Sequence, residues 1–247
     1  MNRPFRLSLE TLPWLLSGYC VVALHLSPRY FRNHIVAKDS EMGAGFVENM
    51  TVVVLVVGIA SGIAVLWRYR HLLSFRPRLW ILIWTLGCVY FAGEEISWGQ
   101  WAFGWSTPEP IADLNKQEET NLHNMSSWLN EKPRALVEAW VVFSGLFVPI
   151  ARGFGRLRFP DSDWREWINP CGVGISASLV FLFSKLFEEG DSLVARALDS
   201  SETRELLVAY FLSIYLLSVY LKLRGKSKST PAEAENRASL SAATQRK

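Results

Sequence analysis

The chain has 247 residues, half of them hydrophobic, and a formal net charge of +3. That length and apolar share point to one membrane domain rather than several soluble ones, and so small a charge makes no case for nucleic acid. Its mean hydropathy of +0.14 hides a sharp partition into apolar runs and charged loops.

Taken in chain order, a short first span is expected over residues 12–27, after Arg3 and Arg6. No small-x-small cleavage site follows it, so it reads as an uncleaved anchor rather than a signal peptide. A polar segment leads to a second span, 46–67, with Glu48 and Asn49 in its first turn. A basic hinge from Arg68 to Arg78 precedes the third span, 79–98, which ends in Gly93-Glu94-Glu95-Ile96-Ser97-Trp98-Gly99-Gln100. Trp98, Trp101 and Trp105 recur at helical spacing, as if one face continued into the membrane interface, until Pro108 and Pro110 stop it.

Residues 111–134 form a long polar connection. The fourth span is expected over 135–151, the fifth over 171–187 with Lys185 near its end, and the sixth over 205–221 after Ser200, Ser201 and Glu202. Residues 1–224 thus make one integral membrane domain, and 225–247, rich in Ser, Ala, Thr and Lys, a disordered tail. The cysteines Cys20, Cys88 and Cys171 lie in or beside apolar runs without a CxxC pair, and read as small core residues. Several of the eleven tryptophans fall at span ends, as in an interfacial aromatic belt.

Seventeen of the 26 Lys and Arg residues fall in one set of alternate loops: the N-terminus, 68–78, 152–168 and 222–247. By the positive-inside bias, both termini are expected in the cytoplasm, with six spans in the cell inner membrane. The acids mirror this, since seventeen of 23 lie at or near the opposite face. Glu48, Glu94, Glu95, Glu138, Lys185, Glu188, Glu202 and Glu205 should then share one slab just below the outer interface. In the 111–134 connection, Asn115, Gln117, Glu119, Asn121 and His123 alternate along one side if the segment is extended, with Asn124 next. If it is helical, Glu119 and His123 are neighbours.

Each feature also has a structural reading. Glu48, Glu138, Glu202 and Glu205 can complement helix N-termini, Lys185 can snorkel or pair with Glu188 or Glu189, and His123 can be a hydrogen-bonded loop histidine. Glu94 and Glu95 fit this reading least, because they lie at a helix C-terminal end, where the dipole disfavours anions. Buried carboxylates in a span cost roughly 2.5–3.5 kcal/mol each at the bilayer centre.

This chemistry suits three jobs. A divalent metal would take Glu94, Glu119 and His123 as ligands, though no HExxH or Glu-x-x-His spacing is present. General acid–base catalysis on a lipid or lipid-linked substrate would use Glu94, Glu95 and Glu48, with Gln100, Gln117, Asn121 and Asn124 binding substrate. Cation or proton-coupled transport is the third, but no ionisable residue is expected at the midplane of spans two to six.

The stretch 93–100 and the Asn115-x-Gln117-x-Glu119-x-Asn121-Leu122-His123-Asn124 pattern resemble a family of uncharacterised bacterial multi-spanning membrane proteins. The resemblance implies a polytopic helical fold over roughly residues 39–125 and carries no assigned activity. Glu48-Asn49 and the run Phe91 to Gln100 are also loosely similar to alkaline ceramidases and related metal-dependent lipid hydrolases. Ala92 and Gly93 stand where those have a metal-binding His, and a late His-x-x-x-His is absent. The expectation is an all-α bundle of six spans, with membrane lipids as partners and an outward-facing site acting on a lipid or lipid-linked substrate. The alternative is a transporter, sensor or assembly subunit binding a cation or a protein partner.

Overall fold

The computed structural model describes residues 3–31, 35, 46–109, 127–157, 159–160, 163–168, 173–186 and 201–228. These residues are all-helical, with no strand among them. The long elements are α1 (Arg3–Leu26), α2 (Phe46–Arg68), α3 (Phe75–Glu95) and α4 (Ser127–Val142). A π-helical turn, Phe143–Phe147, joins α4 to α5 (Val148–Gly153); α6 (Ile175–Leu186) and α7 (Ser201–Lys228) follow.

Four stretches are long and apolar enough to cross a membrane: Pro4–Leu26, Phe46–Arg68, Lys132–Gly153 and Glu202–Ser227. α3 has 21 residues, but Arg76, Arg78, Glu94 and Glu95 at its ends shorten its apolar run. The described part of α6 has 12 residues, about 18 Å at 1.5 Å per residue. Within the fifth apolar run the helix starts at Ile175. The chain reaches α6 through Gly174, in the left-handed region at φ 88°, and Gly174 packs against Phe211 and Ile214 halfway along α7. α7 in turn outruns its expected bounds, reaching Lys228, so residues 225–228 are helical.

Contacts at the helix ends show that the elements alternate in direction. At one end Tyr19 of α1 meets Phe46 of α2 edge to face, with ring centroids 6.0 Å apart, and the Cys20 thiol hydrogen-bonds with Thr203 of α7. At the other end Tyr69, just past α2, meets Tyr220 of α7 at 5.9 Å, and Arg76 of α3 lies over the Trp164 ring.

α7 is the hub. Its membrane-length window is 72% buried, against 22–33% for the other three. Leu207, Phe211, Tyr215, Leu216 and Leu223 are almost wholly inaccessible, and the helix is apolar all round, as a central helix must be. α2 approaches it closely at Gly58, where a Cβ would lie 2.7 Å from Ser213 Oγ. The outer faces of α1 to α6 expose large apolar residues, among them Leu15, Val56, Ile83, Leu136, Phe147 and Leu179. An apolar perimeter of this extent fits hydrocarbon, not water.

Candidate functional site

The site begins where α3 ends. After Glu95 the helix stops, and Ser97, Trp98 and Gly99 adopt positive φ of 44°, 53° and 91°. For the two non-glycine residues this conformation is costly, about 1–2 kcal/mol each. It turns Trp98 back across Gly93, where a Cβ would lie 2.8 Å from the indole ring. The Trp98 indole N–H then donates to Glu94 Oε1 at 2.7 Å, and Tyr90 hydrogen-bonds the same carboxylate. Glu94 is 5% exposed. The expected tryptophan face running from Trp98 to Trp105 is thus interrupted at its first member, because the helix breaks there.

Glu95, one residue on, points elsewhere. A cavity of about 260 Å³ lies between α3, α4 and α7. Trp84, Gly87, Phe91, Val137, Val208 and Leu212 form its apolar wall, while Glu94, Glu95, Arg134, Glu138 and Glu205 gather at its polar end. From Trp84 to Glu95 is three helical turns, about 16 Å, so the cavity runs from mid-helix to the acidic end.

The polar end is cross-linked by charge. Arg134 donates to Glu138 at 2.9 Å, one turn on, and to Glu205 of α7 at 2.8 Å. Lys185 of α6 reaches the second Glu138 oxygen at 3.3 Å. Glu138 is therefore not a helix-start acid: it lies well inside α4 and ties α4 to α6. Lys185 pairs with Glu138; Glu188 and Glu189, its expected partners, lie outside the described residues. Glu95 is surrounded electrostatically by Glu205, Glu48 and Glu202, with Arg134 as its basic neighbour. Among the described residues it has no hydrogen-bond or ion-pair partner.

Of the residues singled out in the sequence, Glu94 and Glu95 line the cavity and Glu48 acts electrostatically on Glu95, while Gln100 opens a short turn after Gly99 and does not line the cavity. Gln117, Glu119, Asn121, His123 and Asn124 lie outside the described residues. Two of the three expected metal ligands, Glu119 and His123, are thus not placed, and no group of three His, Cys, Asp or Glu among the described residues is arranged to hold a metal. Arg134 was not singled out, although its i, i+4 spacing to Glu138 is a readable signal. Its bond to Glu205, 71 residues away, is not.

A further carboxylate, half-buried, ties distant segments of the bundle together. Glu10 of α1 accepts hydrogen bonds from the backbone N–H groups of Gly174 at 2.5 Å and Ser176 at 2.8 Å, capping α6 beside the middle of α7. Tyr210 of α7 donates to the Leu9 carbonyl next to it at 2.6 Å.

No family model matches this chain, and no curated protein or solved structure matches it.

Proposed function

We propose that this chain is a multi-pass inner-membrane protein with six crossings and cytoplasmic termini, which binds an amphiphilic lipid or lipid-linked substrate and acts on its head group. The apolar tail enters the cavity toward Trp84 and Leu212, and the head rests at the acidic end. Glu95 is the acid–base group; Arg134, held between Glu138 and Glu205, positions the head. The observation that carries this reading is an unpartnered carboxylate at the polar end of an otherwise apolar intramembrane cavity. A carboxylate without a resident partner is available to exchange a proton with a bound head group, whereas Glu94 is occupied by Trp98 and Tyr90.

Gly87 supplies the test. A side chain there meets only the Trp84 ring, at 4.0 Å from its Cβ, so Gly87→Phe should fill the cavity without breaking a helix contact. Native mass spectrometry of the protein purified at high salt should show a co-purifying lipid in wild type and in Glu95→Gln, and none in Gly87→Phe. Membranes from expressing cells should differ in lipid profile between wild type and Glu95→Gln. Absence of any bound lipid, together with identical profiles, would remove the proposal.

The crowding of Glu48, Glu202 and Glu205 around Glu95 favours a second reading, a non-catalytic subunit whose acids bind a cation or a protein partner. Wild type that binds or exchanges a cation in liposomes, with no lipid turnover, would select it.

A further inference from the structure

The opposite end of the bundle carries a feature that the proposed site does not use. Here the α2–α3 turn, the end of α5, the short helix Arg165–Ile168 and the end of α7 converge. The described residues in 68–78, 152–168 and 222–226 include ten Lys or Arg against two carboxylates, Asp163 and Glu166. Both acids are already engaged. Asp163 is bonded by the Arg165 side chain at 2.7 Å, and Glu166 by Arg152 at 2.7 Å and Lys222 at 3.2 Å. The described residues of this end therefore carry a net positive charge.

The cations are mixed with indoles. Arg76 lies 5.2 Å over the Trp164 ring, and Lys222 and Lys226 lie 4.6 Å and 5.1 Å over Trp167. A cation stacked on an aromatic face keeps its N–H edge directed outward, able to donate to a further anion. Around them the apolar perimeter ends in exposed aromatic residues: Trp67, Phe75 and Phe154 are 81%, 69% and 78% exposed. The cations thus sit within a turn of the apolar boundary, the depth at which lipid phosphates lie.

We propose that this basic, tryptophan-lined end is a binding surface for anionic phospholipid head groups, which seat the bundle at one leaflet. The partner is a lipid rather than a soluble phosphate. The cations ring an apolar rim that only an acyl-chain-bearing anion can satisfy as well, and juxtamembrane Lys and Arg clusters attract anionic lipid.

The test is native mass spectrometry of the full chain in detergent containing equal amounts of phosphatidylglycerol and phosphatidylcholine. Wild type should retain phosphatidylglycerol selectively, and rising salt should remove that selectivity. Arg76→Gln with Arg224→Gln should weaken phosphatidylglycerol retention by roughly fivefold for each arginine. Should the double variant fail to fold, the salt series on wild type decides. Equal retention of both lipids, selectivity that survives high salt, or equal thermal stabilisation by inorganic phosphate alone would each overturn the proposal.

Discussion

Neighbouring carboxylates in the third span have separate jobs. Glu94 holds the break after α3, because Trp98 and Tyr90 donate to it, whereas Glu95 faces the cavity unpartnered. Glu94→Gln should therefore lower thermal stability in detergent by about 1.5–3 kcal/mol, the range for a charged hydrogen bond. Trp98→Phe should lose a similar amount, and the double variant little more, because both remove one interaction. Glu95→Gln should leave the unfolding midpoint unchanged or raise it, since it takes one negative charge from among Glu48, Glu202 and Glu205, while altering lipid handling. The pair Glu94-Glu95 was legible in the sequence as exceptional. Which of the two faces the cavity was not, because the direction of each side chain depends on where α3 breaks.

At the scale of elements, close approaches and polar links decide how the helices pack. Gly58→Ala places a methyl 2.7 Å from Ser213 Oγ, and should destabilise the α2–α7 contact by about 1–3 kcal/mol in thermal unfolding. Glu10→Gln replaces an anion that accepts from two α6 backbone groups by an amide with one accepting oxygen. Faster hydrogen exchange at the start of α6 and easier proteolysis of α1 are expected. The short helix Arg165–Ile168 is held at its start by Asp163, which accepts from the Arg165 backbone and side chain. Those bonds hold the Asp163 carboxyl below its ordinary range. Since the folded-state value is depressed, this contribution is complete above about pH 4, the unfolded aspartate value, and fades as pH falls through the folded value. Hydrogen exchange of residues 164–168 should rise only below that pH.

Over the described residues of the whole molecule, charge is segregated by end: a group of acids with Arg134 and Lys185 at one, ten cations with indoles and two acids at the other. The proposed topology follows from that asymmetry. A cysteine introduced in place of Ser229 should label only from the cytoplasmic side of intact cells or oriented vesicles, and one in place of Glu109 only from the opposite side. Labelling of both from one side would refute it.

Hydropathy and charge bias were enough to establish an all-helical membrane protein with an acidic end, because both are properties of local composition. They also pointed to Glu48, Glu94 and Glu95, whose presence near apolar runs is costly wherever the chain folds. Three things only the tertiary structure decided. α7 became the hub because its apolar surface goes all round and the other helices cover it. α6 starts at Ile175 because Gly174 turns the chain beside Phe211 and Glu10 caps the helix from a distant segment. Arg134 joined the site because Glu205, far along the chain, faces it across the cavity, and a contact between separate helices leaves no trace in local periodicity.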